Sequence, residues 1–267
     1  MVEKILNHTL RTVTAIYDRY DFDKEKRLAH IPVAHLPTPH ISRYTLCMCG
    51  RFVIELSPDL VAMVFGLAEI PELPPRYNVA PTQSVPVIRE ASDGKRRLSL
   101  LRWGLVPPWS KEVGEGLINA RSETVNEKPS FRQAFRQRRC IVVASAFYEW
   151  KTFDGKKVPY YIHMADGAPM PFAGLWEAWR SPEGQMTETC TILTTNANTT
   201  VAPIHNRMPV ILHPDEFRLW LDREVHDAEK LAALFAPYPA DRLEAYKVSA
   251  WVNSPAHDGP ECIVPVE

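Results

Sequence analysis

The sequence predicts a mixed α and β protein, strand-rich, with short helices kept to the periphery. Three observations carry that expectation. Most apolar runs after residue 48 are short and rich in β-branched and aromatic residues; the helical periodicities are brief; and no internal repeat or alternating βαβ series runs through the 267 residues. Proline supports it, with 24 residues against 11 glycines, a balance that predicts long, ordered, irregular connections.

The strand series opens with Arg51-Phe-Val-Ile-Glu55. Ser57 and Pro58 then form a cap and first position for a short helix carrying Leu60, Val61, Val64 and Phe65. Further strands are expected at Val85–Arg89, Leu98–Trp103, Cys140–Trp150, Val158–Met164, Phe172–Trp179 and Thr189–Thr195. Asp154-Gly155 reads as a hairpin turn. Ser130 is expected to cap a helix running through Arg139, and Pro214–Leu221 and Asp227–Phe235 show helical periodicity.

Residues 1–47 read differently. Ile5, Leu6, Val13, Ile16, Tyr17 and Tyr20 give an amphipathic hint, and acidic residues and then His30, His35 and His40 follow among prolines. The acidic residues argue against a transit peptide, and five-residue histidine spacing fits no helical face, so no metal site is expected there. The expectation is a leader over 1–47, disordered or the product of a mis-assigned start, before a single domain at 48–267.

A formal net charge of −1 gives no global case for nucleic acid, so any such contact needs a local basic surface. The five cysteines (Cys47, Cys49, Cys140, Cys190, Cys262) are odd in number and scattered, and neither a signal peptide nor an apolar run of about 18 residues accompanies them. Free thiols in a reducing cytoplasm are expected, with no membrane partner; monomer is the default.

The sequence lacks G-x-G-x-x-G, a Walker loop, G-x-S-x-G, H-E-x-x-H and C-x-x-C, which removes nucleotide-cofactor and zinc chemistry. Neither cofactor nor metal is expected. What remains is a set of strings: M-C-G-R-F at 48–52, R-Y-N-V-A-P-T at 76–82, W-G-L-V-P-P-W at 103–109, I-N-A-R-S-E-T at 118–124, F-Y-E-W at 147–150 and I-H-N-R-M-P at 204–209. Read bottom-up, Glu149 follows an apolar run and must either pair with an arginine such as Arg121 or serve acid-base chemistry. His205, a lone histidine in a short polar stretch, reads first as a hydrogen-bonded structural residue, with proton transfer as the alternative.

In this order the strings resemble the SRAP family of abasic-site processing proteins, over about residues 48–266. The resemblance implies an α+β fold of mixed and antiparallel sheet around a barrel-like core, and a cleft for single-stranded DNA containing abasic sites. It implies that Cys49 bonds covalently to the lesion. Glu149 and His205 would then move protons and open the sugar, and Asn119 would position the α-amine or a sugar hydroxyl. Arg51, Arg121 and Arg207 would hold phosphates, with Thr194 a further DNA contact. Pro81 would form a rigid loop beside the DNA, and Trp109 and Trp150 would stack, whereas Trp103 is expected in the core. A bacterial member would associate with the nucleoid. Ser110 departs from relatives that carry a second tryptophan there.

The chemistry of Cys49 is consistent with this. Only an N-terminal cysteine offers a 1,2-aminothiol, and an α-amine of pKa about 7.7–8.0 is far more often neutral near pH 7 than a lysine near 10.4. An internal Cys49 has no such amine, so the full chain is expected to be inactive until Met48 starts the protein or the leader is removed, for which the resemblance implies self-processing. The alternatives are a cysteine peptidase or amidase built on Cys49 and His205, and a non-covalent reader of single-stranded DNA. The basic run Arg132, Arg136, Arg138 and Arg139 either extends a DNA groove or is a solvated helix face.

Overall fold

The computed structural model describes residues 50–69 and 71–267; the leader and the site residue Cys49 lie outside the described residues. Two sheets hold β1 (Arg51–Ile54), β2 (Arg76–Val79), β3 (Ser84–Glu90), β4 (Arg96–Trp103), β5 (Asn119–Arg121), β6 (Arg139–Ala144), β7 (Ala146–Phe153), β8 (Lys156–Met164), β9 (Met170–Arg180), β10 (Met186–Asn196), β11 (Arg207–Pro209) and β12 (Leu243–Lys247). The first sheet has the order β12-β8-β7-β1-β2. The second runs β11-β10-β4-β3-β6-β9, with β5 beside β10 and a further β9–β10 pairing. Most pairs are antiparallel; β10 runs parallel to β4 and β5. The fold is therefore α+β with mixed sheet, as expected, and barrel-like in that two sheets joined at a corner enclose a common core.

That corner is where the sequence expectation fails in detail. The run Cys140–Trp150 is not one strand but two, β6 and β7, one in each sheet. Ser145 makes the break: its N–H donates to Val53 O at 2.8 Å and its hydroxyl accepts Glu55 N–H at 3.0 Å, so the turned backbone is satisfied by the end of β1. Side chains from both sheets fill the space between, with Phe52 of β1 against Trp103 of β4 at 5.0 Å and Phe172 of β9 at 6.1 Å. Trp103 is fully buried and its indole N–H donates to Ile118 O at 2.9 Å.

The helices are short. α1 (Pro58–Phe65) begins as predicted, Ser57 Oγ accepting Leu60 N–H at 3.2 Å, and ends at Gly66 with φ of 65°. Its Phe65 stacks on Phe217 of α3 (Phe217–Leu221) at 5.3 Å. The turn between β7 and β8 is the expected Asp154-Gly155 pair, with φ of 46° and 72°, as a type I′ hairpin requires.

The helix over 130–139 differs from expectation. α2 spans only Arg132–Gln137, Phe131 occupies the cap position without a side-chain bond, and Arg139 belongs to β6. The basic run is not one solvated face either. Arg139 is buried, donating to the carbonyls of Trp220, Phe135, Arg136, Asp222 and Val225, and burial brings its pKa down to about 10. Arg138 pairs with Glu177 at 2.7 Å. The expected helix over Asp227–Phe235 forms as α4 (Ala228–Ala232), capped by Asp227, with a 3-10 turn after it. No described helix is long and apolar enough to cross a membrane.

Candidate functional site

The face of β7 grades from core to solvent. Phe147 is fully buried, Glu149 is 3% exposed, Lys151 is half-buried and Phe153 is exposed. These alternate residues share a face, while Tyr148 points the other way into a row with Tyr161 and Tyr246, at ring separations of 5.7 and 5.1 Å. Glu149 thus sits where the core runs out, a position that costs a carboxylate its hydration unless polar groups meet it.

His205 meets it from the segment between β10 and β11. That segment is wound tightly: Asn198 Oδ1 accepts Thr200 N–H and Val201 N–H, and His205 N–H donates to Val201 O at 3.0 Å. The imidazole Nδ1 lies 3.9 Å from Glu149 Oε1 and accepts Arg207 N–H at 3.1 Å. With Nδ1 as the acceptor of that N–H, the proton of the neutral imidazole is on Nε2. At 3.9 Å no direct hydrogen bond joins the two groups, and they attract as an ion pair only when the imidazole carries a second proton.

Strand β10 gathers the remaining polar positions. Asn119 and Arg121, on one face of β5, stand beside Ile192 and Thr194, and Arg207 stands beside Asn196. Arg207 is 7% exposed. Its guanidinium makes a bidentate pair with Glu123 and also donates to Asn196 Oδ1 at 2.9 Å and Thr194 O at 2.6 Å. The hydrogen bonds from Arg207 hold the Glu123 carboxyl below the usual carboxylate range. Two buried atoms here, Arg207 Nε and Thr194 Oγ1, have no hydrogen-bond partner among the described residues. Arg121 is exposed.

Two loops carry the other predicted positions. Pro81 is half-buried between β2 and β3, and Thr82 beside it holds φ of 74°, its N–H donating to Trp103 O at 2.8 Å. Trp109 is 68% exposed on the loop after β4. That loop is braced: Gly104 and Gly116 approach so closely that a Cβ on either would lie 2.2 Å from a carbonyl oxygen across the gap, and Arg102 donates to Gly114 O at 2.6 Å.

Arg51 and Trp150 are placed elsewhere. Arg51 pairs with Tyr148 in register and so shares its face, opposite to that of Glu149. It donates to Asn78 Oδ1 at 2.8 Å and to the carbonyls of Val252 and Asn253, while Trp150 donates to Asn253 Oδ1 at 2.8 Å. Both bind the carboxy-terminal tail. Sequence reasoning gave no role to the tail's own anchors, Asn78 and Asp258, or to Glu123, although Asn78 and Glu123 fall inside the quoted strings. The buried amide of Asn78 donates to the carbonyls of Val252, Ser254 and His257, and Asp258 accepts the N–H groups of Tyr77 and Asn78 and pairs with Arg76. Among the described residues no group of three or more His, Cys, Asp or Glu is arranged to hold a metal.

Residues 48–255 match the family model described as SOS response associated peptidase (SRAP). The abasic site processing protein YoqW of Bacillus subtilis (strain 168) is 45% identical over 223 residues, covering 81% of this chain and 99% of that protein. The abasic site processing protein HMCES of Gallus gallus is 35% identical over 227 residues, covering 72% and 67%. Among solved structures, a Bacteroides thetaiotaomicron protein superposes with a TM-score of 0.73 at 27% identity, covering 82% of this chain and 100% of that one. A Bordetella bronchiseptica protein gives 0.65 at 31% identity, covering 75% and 100%.

Proposed function

The chain belongs to the SOS response associated peptidase (SRAP) family, and from that premise we propose that it acts in the DNA-damage response, bonding covalently to abasic sites in single-stranded DNA through Cys49. The observation that most supports this reading is the buried Glu149 carboxylate 3.9 Å from His205 Nδ1, an acid-base pair at the edge of the core. The relatives named abasic site processing proteins supply the substrate class.

The reaction uses Cys49 as an N-terminal residue, either because translation begins at Met48 and that methionine is removed, or because residues 1–48 are cut away. The neutral α-amine attacks C1′ of the ring-opened deoxyribose. The resulting carbinolamine loses water to give an imine; the thiol then adds to the imine carbon and its proton passes to nitrogen, closing a five-membered thiazolidine. His205 Nε2–H suits protonation of the ring oxygen as the sugar opens, and Glu149 suits carrying protons to and from the amine and the departing water. The same groups serve the reverse steps, so the bond is reversible in principle. Arg121, exposed on β5 beside Thr194, is the donor offered to the sugar-phosphate chain, and the buried Arg207 with its partner Glu123 shapes the strand behind it.

The test is intact mass of protein expressed from Met48, before and after mixing with a short single strand carrying one abasic site, beside the full 267-residue chain. Loss of Met48 and a heat-stable adduct in the short form alone is the expected result. An adduct on a Cys49→Ala variant overturns the reading, and turnover of an amide substrate in trans would replace it with a peptidase.

A further inference from the structure

The sheet face that carries Glu149 continues past it. Across β7, β8 and β12, Glu149 stands opposite Tyr160 and Tyr160 opposite Lys247, while Lys151 follows two residues after Glu149. Directly opposed and alternate residues share a face, so Glu149, Lys151, Tyr160 and Lys247 form one patch. The tyrosine row 148, 161 and 246 occupies the reverse face and fixes that parity.

A cavity of about 480 Å³ opens over this patch, within the usual size range of small-ligand sites. Lys151, Tyr160, Leu243 and Ala245 line it from the sheet, and Thr200 and Ile204 line it from the segment that ends in His205. It is therefore adjacent to the acid-base pair on both walls. The acidic residue on its rim, Glu244, stands opposite His163 in register, and its carboxylate lies 3.8 Å from His163 Nε2 on the reverse face. What the cavity offers an occupant is an ammonium group, a second one nearby, an aromatic ring and apolar walls.

An anion joined to a flat ring system fits that set, and a strand bound at Glu149 and His205 has such a unit on either side of its lesion. Resting on the function proposed above, we infer that this cavity is a subsite for the intact nucleotide next to the abasic sugar. Its base lies against Tyr160, and Lys151 and Lys247 hold its phosphate.

The experiment measures binding of full-length protein, and of the form beginning at Met48, to short single strands containing a tetrahydrofuran analogue. That analogue has no aldehyde, so binding is read apart from bonding. One strand carries the analogue at its centre; two others end at it on the 5′ or the 3′ side. Tyr160→Ala should weaken binding of the central strand about 5- to 100-fold, Tyr160→Phe should leave it unchanged, and Lys151→Gln should make the slope of log K against log salt shallower by about 0.7. Each effect should vanish on whichever truncated strand lacks the neighbouring nucleotide. If Tyr160→Ala and Lys151→Gln bind every strand as the parent does, or lose affinity equally for all three, the subsite is overturned. Variants that leave DNA binding intact but change removal of residues before Cys49 would assign the cavity to peptide and overturn it too. Failure of the parent to form an adduct on a true abasic strand is a separate outcome, and it overturns the function on which the subsite rests.

Discussion

His205 Nδ1 lies 3.9 Å from Glu149 Oε1 and accepts the backbone N–H of Arg207, so one nitrogen ties the acid-base pair to the strand that carries the buried arginine. Proton transfer by a positioned side chain contributes about 10²- to 10⁴-fold to rate. Glu149→Gln, which keeps the volume of the side chain, should slow adduct formation by about that factor, as should His205→Ala. Single-turnover gels on an abasic strand give the rates. A Glu149→Gln protein that reacts at the parental rate would remove Glu149 from the mechanism.

Asn78 joins the amino-terminal strand of the described domain to its carboxy-terminal tail. Its amide donates to three tail carbonyls and its oxygen accepts from Arg51, all on a residue with no solvent exposure. Asn78→Ala leaves those groups unsatisfied and should destabilise the fold by about 3 kcal/mol, each stranded buried group costing about 1–3. Asn78→Asp should be no better, because a carboxylate cannot donate to carbonyls. Urea unfolding midpoints decide this; a change under about 0.5 kcal/mol would show that the tail is held without the amide.

How far the sequence spoke for this fold depends on the range of the interactions. Local chemistry was legible: the Ser57 cap, the Asp154-Gly155 turn and most strands of one period are written in a few adjacent residues. The corner at Ser145 was not, because an unbroken apolar run looks the same whether it stays in one sheet or crosses to another, and only Val53 and Glu55, some ninety residues away, decide it. The same holds at the site. Glu149 stood out as a carboxylate after an apolar run and His205 as a lone histidine in a polar stretch, but that they meet is a fact of two sheets. Glu123, which occupies the fork of Arg207, gave no signal beyond its place in a string.

The Glu123–Arg207 pair should leave a mark on stability at low pH. The folded carboxyl titrates below its ordinary value of 4.5, foremost through the hydrogen bonds from Arg207. A depressed folded pKa adds stability that is fully present above the unfolded value and is lost as pH falls through the folded one. Because Glu123 is half-exposed, the contribution should be no more than about 1 kcal/mol. The stability difference between parent and Glu123→Gln should therefore be constant from about pH 7 to pH 5 and shrink below about pH 4.5. A difference that grows on acidification would contradict the pairing.

Cys140 and Cys190 should be inert in the native protein. Both are fully buried, and burial, the main cause, pushes each thiol well above its ordinary pKa, so thiolate is scarce and shielded. Alkylation at mildly alkaline pH, read by peptide mass, should label neither until denaturant is added. Labelling of either in the folded chain would show that the core opens on the timescale of the reagent.

Thr82 is a β-branched residue held at φ of 74°, a region costly to any side chain with a Cβ, and it directly follows Pro81. Its N–H is fixed to Trp103 O, so the conformation is imposed from the core and not chosen locally. Glycine meets the same angles without that cost but loses more freedom on folding, by about 0.5–1 kcal/mol. With about 1–2 kcal/mol of strain relieved, Thr82→Gly should be more stable than the parent by up to about 1 kcal/mol. Its exposed side chain leaves no packing to lose. A lower urea midpoint for Thr82→Gly would mean that the threonine makes a contribution larger than its strain.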